Sequence, residues 1–116
     1  MVTRDDISDF ICKLGEINML FHVVAKHNYE NCPGVHHGPE SEEVNQMSKW
    51  FEGNETVKVL GVWPYNVSHT TYAVLESSDM QSVTNLLRPQ MSFGDIQVLP
   101  VVDGIDMRKE RGHWGR

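Results

Sequence analysis

Four candidate metal ligands stand close together in "HNYENCPGVHH", residues 27–37: His27, Cys32, His36 and His37. A fifth, His69, begins "HTTYAVLES" much further along. Imidazole nitrogen and thiolate sulfur are donors that suit zinc, nickel and copper. A loop spaced His-x4-Cys-x3-His-His has enough slack to fold around an ion. The five residues are therefore candidate ligands for a transition-metal ion, zinc or nickel. The spacing is not that of a zinc finger, and the chain has no Cys-x-x-Cys pair. A polar loop that carries histidines without binding anything explains the same residues.

Two other chemistries are open to these residue types. A thiolate at Cys32 beside a histidine is a nucleophile in the making. Pro33 follows it directly, no third group is at hand to orient the pair, and a half-buried thiol anchoring the loop is the simpler account. His22 and Tyr72 form the second case. If both face one side of a sheet, they could exchange protons with a small enolisable or aromatic substrate, with Lys26 and Trp63 nearby as ligand-binding groups. The competing account makes His22 and Tyr72 half-buried residues of a subunit interface.

These residues need a scaffold. In "TRDDISDFICKLGEIN" the residues Ile7, Phe10, Ile11, Leu14 and Ile17 recur at spacings of three and four, which predicts a short amphipathic helix over 1–18. "MLFHVVAKH" (19–27) alternates as a strand. Phe21, Val23 and Ala25 lie on one face; Leu20, His22, Val24 and Lys26 lie on the other. "PESEEVNQMSKWFEG" (39–53) reads as a helix with Pro39 in its first turn, Val44, Met47, Trp50 and Phe51 inward, and Gly53 as its stop. "TVKVLGVWPY" (56–65) and "HTTYAVLES" (69–77) read as a hairpin of two strands. "SSDMQSVTNLLRP" (77–89) reads as a helix, with Ser78 and Gln81 as a capping box and Pro89 at its end. "GDIQVLPVV" (94–102) is a last strand, and Pro100 within it suits a sheet edge.

The order after the first helix is β-α-β-β-α-β. That predicts an α+β, ferredoxin-like βαββαβ antiparallel sheet with two helices on one face, in addition to the N-terminal amphipathic helix. The expected organisation is an N-terminal helical extension (1–18), a ferredoxin-like domain (19–103) and a basic C-terminal tail (104–116). In such a sheet the ends of strands one and two and the start of strand three share an edge. His27 and His69 should meet there, and the loop carrying Cys32, His36 and His37 leaves from the same place.

Composition sets bounds on function. The chain has 116 residues, 40% hydrophobic and 22% charged, with formal net charge −6. That fits one globular domain. Residues 1–106 hold 15 acids and 6 bases, whereas "MRKERGHWGR" holds 4 bases and 1 acid. An acidic body argues against a nucleic-acid surface. The short basic tail is expected to be a frayed terminus, with contact to an acidic neighbour as the alternative. No stretch is apolar for long enough to span a membrane. The acids in "MVTRDDISDF" do not suit a secretory leader, so a cytoplasmic protein is expected. Cys12 and Cys32 are expected as free thiols.

Over residues 19–102 the chain resembles the dimeric alpha–beta barrel superfamily of ferredoxin-like proteins. The likeness rests on the element order, "MLFHVV", "YAVLESSDMQSVTNLL" and "IQVLPVV", the last two being similar to a small uncharacterised family within it. The resemblance implies a homodimer formed through open sheet faces, sometimes around a ligand cavity. It also covers isomerases and cofactor-independent monooxygenases, so fold does not decide chemistry. The expectation is a small oligomeric protein that binds a small ligand or metal ion at the open face or at the His/Cys edge. The alternatives are an enzyme of the isomerase or monooxygenase type and a structural or interaction module docking through its N-terminal helix.

Overall fold

The computed structural model describes residues 18–116. The helix expected over 1–18 and Cys12 lie outside the described residues. The described chain is α+β, with a four-stranded antiparallel sheet and four short helices. The strands are β1 (Met19–Lys26), β2 (Val57–Tyr65), β3 (Thr70–Ser77) and β4 (Ile96–Val101). The helices are α1 (Pro33–His37), α2 (Glu42–Met47), α3 (Met80–Met91) and α4 (Gly104–Glu110).

Strand order is β2-β3-β1-β4. Every neighbouring pair is antiparallel, so β1 and β2 run parallel to each other with β3 between them. The alternation in "MLFHVVAK" sorts as expected. Phe21, Val23 and Ala25 are buried, and so are their β3 partners Leu75 and Ala73. Trp50, Val57, Val83 and Leu87 complete the core, bringing in α3 and the turn after α2. Burying such side chains contributes about 1.5–3 kcal/mol each, which makes this layer the main stabilising term.

The other face of the sheet stays open. His22 pairs with Val74 on one side and Leu99 on the other, and Val24 pairs with Tyr72. Among the described residues, no element covers that face, and Leu99 and Tyr72 remain 46% and 41% exposed. β4 is an edge strand, which accounts for Pro100: its missing N–H faces away from β1 and costs no ladder bond.

Apart from segment 28–38, three elements differ from the sequence expectation. The single helix expected over 39–53 is broken into α2 and a 3-10 turn, Lys49–Glu52. Ser41 wins the N-cap, its Oγ accepting from the Val44 N–H at 3.3 Å, so Pro39 stays outside. At the far end the Ser48 hydroxyl donates to the Val44 carbonyl at 2.9 Å, a back-bond that bends helices, and the last turn tightens. Gly53, at φ 71°, still ends it.

The Ser78–Gln81 capping box does not form. Asp79 caps α3, its Oδ1 accepting from the Ser82 N–H at 2.6 Å, while Gln81 donates to Asn85. A carboxylate answers the helix dipole better than a hydroxyl does. Pro89 does not end α3 either. It sits in the final turn, and Ser92 closes the helix by donating to the Pro89 carbonyl from both N–H and hydroxyl.

The basic tail is no frayed end. It forms α4, with Asp103 accepting from the N–H groups of Ile105 and Asp106. Gly112, at φ 74°, ends it in a Schellman motif: its N–H donates to Lys109 and that of His113 to Arg108.

Hydrogen bonds from Ser82 and Ser78 hold the Asp79 carboxyl below the ordinary carboxylate range. Its folded pKa is lower than its unfolded one, so its contribution is present above the unfolded value and lost as pH falls through the folded value. Asp79→Ala should lower the melting temperature by roughly 4–8 °C at pH 7. The difference from wild type should shrink toward pH 2 in thermal melts. A constant difference across that range would show that the carboxylate is not the cap.

Candidate metal centre

The end of β1 is held from both sides. The Lys26 N–H donates to the Asp95 carbonyl at 2.8 Å, and the His27 N–H to the His69 carbonyl at 3.1 Å. Gly94 permits the first contact, since a Cβ there would collide with the Lys26 carbonyl. His69 ends the Asn66–Ser68 turn in left-handed backbone, at φ 53° and ψ 39°. Few non-glycine residues adopt that region, though histidine is enriched among those that do. The turn carries the chain from β2 into β3 and lays the His69 ring beside that of His27.

The two imidazoles touch. His27 Nε2 and His69 Nδ1 are 3.1 Å apart, with the rings edge to face and centroids 4.9 Å apart. One nitrogen must donate and the other accept, so the pair holds one shared proton when both rings are neutral. Cys32 completes the group. It is the N-cap of α1, only 7% exposed, and a free thiol. The donor atoms of His27, Cys32 and His69 all lie within 4.8 Å of one another. The ring of Tyr29 stands edge to face against His69, at 6.2 Å between centroids.

The other two candidate ligands turn elsewhere. His36 points Nε2 at the Glu30 carbonyl, 2.7 Å away, and His37 lies 3.9 Å from the Glu43 carboxylate. Both line a cleft of about 410 Å³, together with Cys32, Pro33, Gln46 and Phe93. The structure thus draws three of the five candidates into one cluster and places the remaining two on a cleft that Cys32 also borders. Segment 28–38 is not the plain loop that the sequence suggests. It contains a 3-10 turn, Tyr29–Asn31, and α1, and these fold Cys32 back toward His27. Pro33 in the first turn of α1 and Asn28 capping the 3-10 turn were the available signals.

His22, Lys26, Trp63 and Tyr72 fall on the open sheet face. Trp63 is paired with Tyr72, which is in turn paired with Val24, two residues from His22. Leu60 is an extra residue in β2, after which Gly61 lies under the Trp63 ring, where a Cβ would collide with it. The ring can therefore lie along the strand, 59% exposed. This face is remote in direction from the His27 cluster: His22 and His27 stand an odd number of residues apart on β1 and its end.

A family model described as a domain of unknown function matches residues 19–111. The chain belongs to the DUF3303 family. No curated protein sequence matches this DUF3303 domain significantly. A solved chain from Porphyromonas gingivalis W83, provisionally described as a C-terminal regulatory domain of aspartate kinase, is similar at 12% identity and TM-score 0.47. The match covers 84% of this chain and 67% of that one. At that degree of likeness it bears on neither ligand nor activity. Among the described residues no helix of the DUF3303 domain is long and apolar enough to cross a membrane.

Burial holds the His27 imidazole below its ordinary pKa of 6.5, and the neighbouring His69 lowers it further. With the folded value depressed, the unfolded chain takes up the proton first as pH falls. His27 therefore supports the fold above about pH 6.5, and that support is lost as acid protonates it. Metal-free protein should melt at lower temperature at pH 5 than at pH 7.5, and His27→Gln should reduce the dependence. An unchanged pH profile in the variant would remove His27 as its cause.

Proposed function

We propose that this DUF3303 domain binds one transition-metal ion through His27, Cys32 and His69. The observation that carries the reading is the approach of three donor atoms, two from segment 27–32 and one from His69, to within 4.8 Å of one another. Two nitrogens held by one zinc at 2.0–2.1 Å lie roughly 3.3 Å apart in a tetrahedron. The His27–His69 nitrogen separation of 3.1 Å already suits that. A sulfur on the same ion lies about 3.6 Å from each nitrogen, so the thiol has roughly 1 Å at most to close. Rotation of the Cys32 side chain supplies such a movement.

Two imidazoles and a thiolate suit zinc, and nickel accepts the same donors. Three protein ligands leave a fourth position, the arrangement of zinc sites that exchange a ligand. Cys32 borders the 410 Å³ cleft, which favours that cleft as the approach for a small molecule. A bound ion would act there as a Lewis acid.

The scaffold is best read as ferredoxin-like and as a member of the dimeric alpha–beta barrel superfamily. What supports this is β3 lying between the parallel pair β1 and β2, a split βαβ, with α3 and the α2 turn on one face only. The open face then serves homodimer formation. Leu20, Val24, Val74, Leu99 and Val101 line it, and covering such side chains would supply the driving force for association. His22 and Tyr72 sit within that face, so any acid/base role for them depends on the dimer closing over them.

Protein purified without a histidine tag should carry close to one zinc or nickel per chain by elemental analysis. Cys32→Ser should weaken metal binding by more than the roughly 10–100-fold typical of losing an outer-shell partner. His69→Asn should do the same, and it keeps a residue tolerant of left-handed backbone. Stoichiometric metal that persists in both variants would refute the site. In light scattering, Leu99→Glu should convert dimer to monomer; a dimer that survives it does not use the open face.

A further inference from the structure

α4 stands apart from the core of the described residues. Among the described residues it has no substantial packing against any other element. Seven residues are too few for a helix to hold in water on its own account. Yet this one is capped at both ends, by Asp103 and by the Gly112 Schellman motif. The segment after it folds back as well: the Lys109 ammonium lies 5.0 Å from the centroid of the Trp114 ring. Ile105 and Trp114 are more than half exposed. A pre-shaped apolar and basic arm is thus presented outward.

Beside it runs a groove of about 1000 Å³, between α4 and the Met19 end of the sheet. Its floor is apolar, with Leu20, Leu60, Val101 and Met107. Its rim is acidic, with Glu76, Asp106 and Glu110, and none of its lining residues is basic. Leu20 and Val101 also belong to the open sheet face, so groove and face are one continuous surface. The tail segment Arg108–Arg116 carries four bases against one acid. Arm and groove are therefore complementary in both charge and apolarity, and they belong to the same chain.

We infer that the arm of each copy docks into the groove of a second copy, so that two reciprocal arms clasp the dimer. This rests on the open-face dimer proposed above. Charge supports it: the four bases of the arm would meet the acidic rim of Glu76, Asp106 and Glu110 in a groove that holds no base of its own. An isologous contact of this kind places each arm on its partner by the same two-fold axis.

The experiment is sedimentation of full-length protein across concentration and salt, with charge variants of arm and groove. Wild type should dimerise, and raising salt from about 0.05 to 0.5 M should weaken the dimer at least fivefold. Arg108→Glu/Arg111→Glu should weaken it at least tenfold, and so should Glu76→Lys/Asp106→Lys. Mixing the two variants should restore affinity, because both arm–groove pairs of the mixed dimer then have opposite charges again. If Leu99→Glu breaks the dimer while the charge variants stay within twofold of wild type, the clasp is wrong and the open-face dimer stands. A wild-type chain that stays monomeric at every concentration overturns both.

Discussion

The last residues of β1 fix most of what matters here. Lys26 is bonded to Asp95 on one side and His27 to His69 on the other, so the end of the central strand is pinned between its two neighbours. Loss of either bond would let the strand end fray, as ends of strands do when unpaired. With both in place, the His27 ring stands beside that of His69. The backbone bond and the ring contact are consecutive consequences of one antiparallel register.

From that point the two faces of the sheet follow different rules. The face of Phe21, Val23 and Ala25 is closed by α3 and the turn bearing Trp50, and this closure stabilises the fold. Among the described residues, the face of His22 and Val24 is left open. The candidate metal centre lies at the edge, where neither the core nor the open face claims the side chains. Such an edge is a favourable place for a site: its backbone is rigid because the sheet holds it, and its side chains remain free to bind. Cys32 arrives from the connection between β1 and α2, folded by Asn28 and Pro33 into short turns that bring the thiol inward.

Much of this was legible in the sequence, for physical reasons. The strict alternation of "MLFHVVAK" can satisfy only one register with one buried face. Pro100 tolerates only an edge. The meeting of His27 and His69 followed from strand directions alone. The selection of Cys32 over His36 and His37 did not, because it depends on how segment 28–38 coils, and five-residue helices leave almost no periodic signal. The break between α2 and its last turn came from side-chain bonds at Ser41 and Ser48, which compete locally with the apolar stripe of Val44, Met47 and Trp50. The ordered tail had readable signals, Asp103 before and Gly112 after α4, but basic composition at a terminus spoke against them. The helix expected over 1–18 lies outside the described residues.

The central claim is that His27, Cys32 and His69 share one ion. X-ray absorption at the metal edge of the zinc-loaded protein tests it most directly. The account predicts one sulfur at about 2.3 Å and two imidazole nitrogens at 2.0–2.1 Å, with the sulfur lost in Cys32→Ser. A first shell of oxygen and nitrogen alone, unchanged by that substitution, would contradict it.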